Sequence, residues 1–133
     1  MNGRYRERMI VAYFVVASLL ALVSLATGLM KLVRPKEKLL EMGPPFQWAK
    51  DFTQLQIRGI GALEVLGAIG VILPMALRML PVLSPIAALG IALLQAGAFV
   101  VHVRRGEKAY LNMGIFALAG ATAVLGFFTL AGA

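Results

Sequence analysis

The run Gly59 to Leu77, GIGALEVLGAIGVILPMAL, decides the fold: nineteen residues with a single charge, Glu64, set between Arg58 and Arg78. A bilayer core of about 30 Å needs about 20 apolar helical residues, and this run is that long. Its apolar residues surround the helix instead of forming one stripe, which fits a helix in lipid better than one on a soluble core. Period-2 alternation is lacking, so barrel strands are not expected.

Three more runs of this kind flank it. Met9 to Met30 has no charge, Met79 to Val103 has none and holds only His102, and Ala109 to Ala133 has none. Spans are therefore expected at about 9–30, 54–74, 84–103 and 110–131, within a single domain over 1–133. Arg4, Arg6 and Arg8 before the first run would suit a signal peptide, but its 22 uncharged residues exceed an h-region of about 7–15 residues. A retained helix is expected. Connections of about 22, 10 and 5 residues make neighbouring helices antiparallel. The expected fold class is all-α, a transmembrane antiparallel four-helix bundle with both termini on one side.

The whole chain agrees. Of 133 residues, 60% are hydrophobic and 14% charged, with mean hydropathy +0.85, against about 45–50% and roughly 25% in soluble domains. A soluble domain of this size exposes too much surface to hide so much apolar area. An integral membrane protein in a lipid bilayer is expected, and a cytosolic enzyme, a disordered chain or a secreted domain is not. The net charge of +7 is split among loops, where it meets anionic headgroups. No recognition motif accompanies it, so nucleic acid is not an expected partner. With no Cys and one His, disulfides, thiol redox cycles and a metal site are not expected, and haem has no supporting motif.

Boundary signals are local. Asp51 and Gln54 have capping-box spacing and place the second span's start near Phe52. Leu73-Pro74 is expected to end or kink it, and Ser84-Pro85 reads as N-cap and first position of the third span. Gly106 suits the turn before the fourth. In the long first connection, Pro35 to Met42 reads as a short helix broken by Gly43-Pro44-Pro45. Phe46 and Trp48 follow, as an interfacial anchor or as a lid over a pocket. Apart from Lys31 and Arg58, the first and third connections hold Arg34, Lys36, Lys38, Lys50, Arg104, Arg105 and Lys108. The N-terminus and second connection hold Arg4, Arg6, Arg8 and Arg78. Positive-inside counting then favours the first and third connections in the cytoplasm.

Small residues mark close helix contacts in lipid. The stripes are Ala17, Ala21, Ser24, Gly28 and Lys31 in the first span and Gly61, Glu64, Gly67, Ala68 and Gly70 in the second. Ala88, Gln95 and His102, with Ala92 and Ala98, mark the third, and Gly114, Ala117 and Ala121 the fourth. They turn Lys31, Glu64, Gln95 and His102 inward. In an up-down bundle Lys31, Arg58, His102 and Asn112 fall at the same end, with Glu64 about 9 Å deeper than Arg58 and Gln95 at similar depth. Charges in a span are costly and are functional candidates. Glu64 reads either as a register-fixing ion pair or protonated acid, or as a proton-handling or ligand-binding carboxylate. His102 reads as a bonded neutral histidine or as a proton donor. Lys31 reads as a snorkelling cation or a site residue, and Arg58 as a partner for Glu64 or a headgroup. The candidate ligand-binding set is Lys31, Arg58, Glu64, Gln95, His102 and Asn112, with Glu64 and His102 as proton-handling candidates, a cluster with more cations than carboxylates.

Gly28-Leu29-Met30-Lys31-Leu32, Arg58-Gly59-Ile60-Gly61-Ala62-Leu63-Glu64-Val65-Leu66-Gly67, Leu73-Pro74 and His102-Val103-Arg104 together make the chain resemble the DoxX-like family of small four-span membrane proteins. The resemblance covers nearly the whole chain and implies a four-helix bundle, in a bacterial inner (cell) membrane. It implies association with redox and quinone chemistry, as in a membrane subunit of thiosulfate:quinone oxidoreductase and in systems for oxidative stress and catechol handling. Distant eukaryotic relatives act as assembly chaperones for receptor channels. The bundle is also similar to vitamin K epoxide reductase, whose Cys pair this sequence lacks.

The leading expectation is an accessory or redox-associated membrane subunit that binds a quinone or another amphipathic small molecule. Its polar head would lie near Glu64, His102, Lys31 and Arg58. Such a protein is not expected to be an autonomous enzyme, since electron transfer would need a redox subunit. The alternative is an assembly factor that binds other membrane proteins through helix faces, without small-molecule chemistry. A proton-coupled exporter would need a homo-oligomer to supply two repeats.

Overall fold

The computed structural model describes residues 3–132. Four helices are long and apolar enough to cross a membrane: α1 (Gly3–Val33), α3 (Gln54–Leu77), α4 (Leu83–Arg104) and α5 (Tyr110–Ala131). Between α1 and α3 lie a short helix α2 (Lys36–Glu41) and a 3-10 helix, Pro44–Asp51. Among the described residues there is no strand. The protein is an integral membrane protein of all-α class.

The packing order is a closed ring in which α1 touches α3 and α5, and α4 touches α3 and α5. Contact pairs fix the directions. Gly28 meets Gly61 while Tyr13 meets Val71, so α1 and α3 are antiparallel. Gly67 meets Ile91 and Gly70 meets Ala87, so α3 and α4 are antiparallel. Gln95 bonds Asn112 and Pro85 meets Gly126, so α4 and α5 are antiparallel. Lipid tails are as apolar as leucine, so what binds helices here is close packing and hydrogen bonding. A β-carbon at Gly67 would lie 2.7 Å from Ile91 Cγ1, and one at Gly70 2.8 Å from Ala87 Cβ. One at Gly126 would lie 2.9 Å from Pro85 Cβ and 3.0 Å from Tyr13 Cε2. The core of Tyr13, Ala17, Leu20, Val71, Ala88, Ile91, Ala119 and Ala123 fills the space between.

Pro74 neither ends α3 nor stands at its boundary. It lies inside the helix, which continues to Leu77, and so shortens the second connection to Arg78–Val82. A proline in a helix disturbs the hydrogen-bond ladder around it. Neighbouring helices bind the backbone there: Val71 O accepts from the Tyr13 hydroxyl, and Met75 N–H donates to Ser84 Oγ at 3.0 Å. Ser84 is therefore not the N-cap expected of it. It belongs to the first turn of α4, whose N-cap is Val82, and its hydroxyl accepts from the backbone of α3 just past Pro74 instead. Pro85 fits there because a first-turn N–H has no intrahelical partner.

The start of α3 also differs from expectation. The capping box is Thr53 with Gln56: Thr53 Oγ1 accepts from Gln56 N–H and Gln56 Oε1 from Thr53 N–H. Asp51 closes the 3-10 helix and pairs elsewhere. The fourth-span stripe is corrected too. Gly114, Ala117 and Ala121 are exposed on α5, whose buried face is Ile115, Ala119, Thr122, Ala123, Gly126 and Thr129. One position is about 100° of rotation, so the stripe beginning at Gly114 faces away from the one beginning at Ile115.

The first connection is ordered by its own small core, Leu39, Ala49 and Ile57, with Met30, Leu40, Phe46, Trp48 and Phe52 against it. Met42 is exposed, and the chain turns at Gly43, whose φ of 106° suits glycine. Lys36 N–H donates to Gln54 Oε1 and Lys36 Nζ to Phe52 O. Gln47 Nε2 donates to Leu40 O and Gly43 O.

Candidate functional site

The site is built around two glycines. A β-carbon at Gly28 would stand 2.8 Å from Gly61 O, and one at Gly61 2.7 Å from Gly28 O. The backbones of α1 and α3 touch, and each missing side chain makes room for a charged residue of the other helix. The Gly28 vacancy faces Glu64 Cβ and the Gly61 vacancy faces Lys31 Cβ. Helical side chains lean toward the N-terminus, so Lys31 and Glu64, each one turn past its glycine on antiparallel helices, lean toward each other. Lys31 Nζ lies 2.7 Å from Glu64 Oε1. The Thr27 hydroxyl donates to Glu64 Oε2 at 2.7 Å. Glu64 is 3% exposed, and both its oxygens are held. A charge so placed in a membrane requires this pairing.

A cavity of about 780 Å³ opens beside the pair. Lys31, Glu64, Gln95, His102 and Asn112 line it, so the structure brings together five of the six ligand-binding candidates. Gln95 is 4% exposed. Its Oε1 accepts from Asn112 Nδ2 at 2.8 Å, and its Nε2 makes no hydrogen bond to a described residue. His102 Nδ1 is buried without a hydrogen-bond partner, its nearest acidic oxygen being Glu107 Oε1 at 3.6 Å. The roof is aromatic: Phe46, Trp48 and Phe52 line the cavity, Trp48 and Phe52 meet edge to face, and Lys31 Nζ sits 5.6 Å from the Trp48 ring centre. A cation at that distance is attracted by the indole face. Trp48 thus lies over the pocket as a lid would.

Arg58 is not part of this arrangement. It is exposed, lies outside the cavity and makes no ion pair with a described residue. On α3 the buried row is Ile57, Gly61, Glu64, Ala68 and Val71. Six helical steps from Arg58 to Glu64 put them about 120° apart. In its place come Glu107 and Lys108, which line the mouth. The lining therefore carries Lys31, Lys108 and His102 against Glu64 and Glu107, so the potential cations exceed the carboxylates by one.

Sequence reasoning did not single out Thr27, Glu107 or the Asp51–Arg105 bridge. Arg105 donates to Asp51 Oδ2 at 2.7 Å and to Glu107 Oε1 at 2.8 Å. It thereby ties the α4–α5 turn to the first connection across the mouth. The hydrogen bond with Asp51 raises the Arg105 pKa above its ordinary value, desolvation opposing it and Glu107 adding to it. The available signal was scarcity: with six acidic residues in the chain, Glu107 beside the Gly106 turn was a natural partner for its neighbours.

A second cavity at the other end of the bundle is bounded by Arg6, Glu7, Arg78, Met75 and Leu130. Its charged residues are exposed, and its buried hydroxyl, Thr129, already donates to Leu125 O. Among its described lining residues there is no buried unpartnered side-chain group. Among the described residues, no cluster of His, Cys, Asp and Glu has the makings of a metal site.

No curated protein and no solved structure matches the chain. The profile of the DoxX-like family matches residues 15–126, from the middle of α1 to the last turns of α5 and across every residue that lines the main cavity, and this chain belongs to the DoxX-like family.

Proposed function

We propose that this protein binds an amphipathic small molecule, a quinone in the first instance, and serves as an accessory, redox-associated subunit of a bacterial inner membrane. The observation that carries the proposal is His102 Nδ1, buried without a hydrogen-bond partner at an apolar cavity that Gln95 and Asn112 also line. A buried polar group left without a partner costs about 1–3 kcal/mol, and a ligand oxygen would remove that cost.

The residues fit a quinone head. Its carbonyl oxygens accept hydrogen bonds, which Gln95 Nε2 and a protonated His102 Nδ1 can donate. Its flat ring suits the walls of Trp48, Phe52, Leu94 and Ala98. A bound quinone supplies two-electron, two-proton redox chemistry, with electrons from a separate redox subunit. Of the two proton-handling candidates, His102 is favoured, since its Nδ1 is unengaged. Both oxygens of Glu64 are taken by Lys31 and Thr27, so its part is to hold Lys31 and the wall of the site. Asn112 orients Gln95 by donating to its oxygen.

The assembly-factor reading keeps one supporting observation. Gly90, Gly97, Gly114 and Gly120 have open space where a side chain would stand, and such glycines admit another helix. Purification of the full chain from native membranes in mild detergent, then mass spectrometry of the intact complex, separates the two. A stoichiometric quinone or other amphiphile, lost in Gln95→Leu, is expected. A stoichiometric membrane-protein partner or homo-oligomer with no small molecule would replace the proposal with the assembly role.

A further inference from the structure

The main cavity is not closed at its sides. On α4 its lining runs through Gln95, Ala98, Leu94, Val101, Gly97 and Leu93. At 100° per residue these positions sweep from the buried face, past the side toward α3, to the outer surface. The α3 side of α4 is marked independently by Ala87 and Ile91, which meet Gly70 and Gly67, while Pro85, which meets Gly126, marks the α5 side. Leu93 is 74% exposed and Gly97 is exposed with nothing within 4 Å of a β-carbon, yet both border the cavity whose inner wall is Glu64 and Gln95. The seam between α3 and α4 is thus shut from Gly67 toward the α3–α4 turn and open on the other side. Leu93 is eleven residues from Arg104 at the end of α4, about 16 Å at 1.5 Å per residue, or about half a hydrocarbon core. The opening faces lipid tails from near the midplane to the headgroup edge.

We infer that the ligand reaches the site sideways from the bilayer through the α3–α4 slot, and that it is a long-tailed, membrane-dissolved molecule whose alkyl or isoprenoid chain stays in the slot. This inference rests on the proposed ligand-binding function and narrows the ligand class. The aqueous approach is the harder one for such a molecule: it is roofed by Phe46, Trp48 and Phe52 and bridged by Arg105, which holds Asp51 and Glu107. The slot is apolar where the tail would lie, with Leu93, Leu94, Gly97 and Ala98 on α4 and Ile60 on α3. The head would then meet Gln95 and His102 at its inner end. Gly97, without a side chain, leaves the α4 edge of the slot open.

Trp48 is the one tryptophan of the chain and lines the cavity, so its fluorescence reports occupancy. The full-length protein in phospholipid nanodiscs is mixed with a benzoquinone bearing a ten-isoprene tail and, separately, with the tail-less parent ring. Saturable quenching by the tailed quinone is expected, with at least tenfold tighter apparent affinity than for the parent at equal membrane concentration. Gly97→Phe is expected to slow quenching by the tailed quinone at least tenfold. Gly90→Phe, on the same outer face but beyond the slot, leaves the rate unchanged. Quenching of Gly97→Phe by the tail-less ring shows that its cavity is intact, and should Gly97→Phe lose the fold, the smaller Gly97→Leu with the same two probes takes its place. Wild-type quenching equal for both probes, or a tailed-quinone rate that Gly97→Phe and Gly97→Leu leave unaltered, would overturn the slot while the ligand-binding function stands. No saturable quenching by either probe in the wild-type protein would overturn both.

Discussion

The two halves of the bundle use buried polarity in different ways. Toward the α3–α4 turn, polar side chains are spent on backbone. Tyr13 and Ser84 bind α3 around Pro74, and Thr122 and Thr129 donate to Leu118 O and Leu125 O in their own helix. Among the described residues there, these side chains all have partners, and Gly67, Gly70 and Gly126 bring the helices into contact. Toward the first connection, polar side chains are spent on one another or left open. Glu64 holds Lys31 and Thr27, Asn112 holds Gln95, and His102 Nδ1 is unpartnered. Backbone contact survives there between α1 and α3, at Gly28 and Gly61, while α4 stands off. A four-helix bundle in lipid needs only the first kind of polarity to fold. The second kind costs stability unless something is bound, and that makes it the mark of a site.

The comparison is broken most severely through Lys31. Lys31→Met leaves Glu64 buried without its counter-charge, and breaking one side of a buried pair costs about 3–5 kcal/mol. Thermal unfolding in detergent is expected to shift down by a corresponding amount. Lys31→Met with Glu64→Gln is expected to recover most of the loss, because both charges are then gone. A single variant as stable as the parent would mean that the ion pair does not hold α1 to α3.

In the other half the matching change is smaller. Tyr13→Phe keeps the ring but removes the hydroxyl that serves Val71 O, leaving a buried carbonyl short of a partner at a cost of about 1–3 kcal/mol. Stability is expected to fall while quinone quenching of Trp48 stays the same. If quenching changed as much as stability, the two halves would be coupled and the division between them would fail.

The fold was legible because long uncharged runs between charges leave a helix in lipid as the solution. The depth of Glu64 and Gln95 followed from counting residues, and their inward aim from the 3.6-residue period. What was not legible depends on partners distant in sequence. Ser84 looks like an N-cap because Ser-Pro at a helix start usually is one, and only the neighbouring Met75 N–H gives it another task. Asp51 and Thr53 both precede a glutamine by three, and the choice of Thr53 follows from the 3-10 helix that engages Asp51. The Gly114 stripe misled because small residues show which faces admit a close neighbour, and α5 presents such a face outward.

The smallest expected effect tests the placement of Arg58. In sequence it stands at the right end of the bundle, two turns from Glu64, and reads as a cation of the site. Helical rotation turns it away, because Ile57 beside it occupies the buried row that leads to Gly61 and Glu64. Its guanidinium is exposed at the membrane edge, where headgroups and water solvate it in place of a carboxylate. Arg58→Gln is therefore expected to change stability by no more than about 0.5 kcal/mol, as for other surface substitutions. Quinone quenching of Trp48 should keep both its affinity and its rate. Asn112→Leu in the same assay should weaken quenching several-fold, since Gln95 Oε1 then loses the donor that fixes its amide. Equal losses in the two variants would place Arg58 in the site after all, and would require α3 to be rotated by about a third of a turn from the arrangement described.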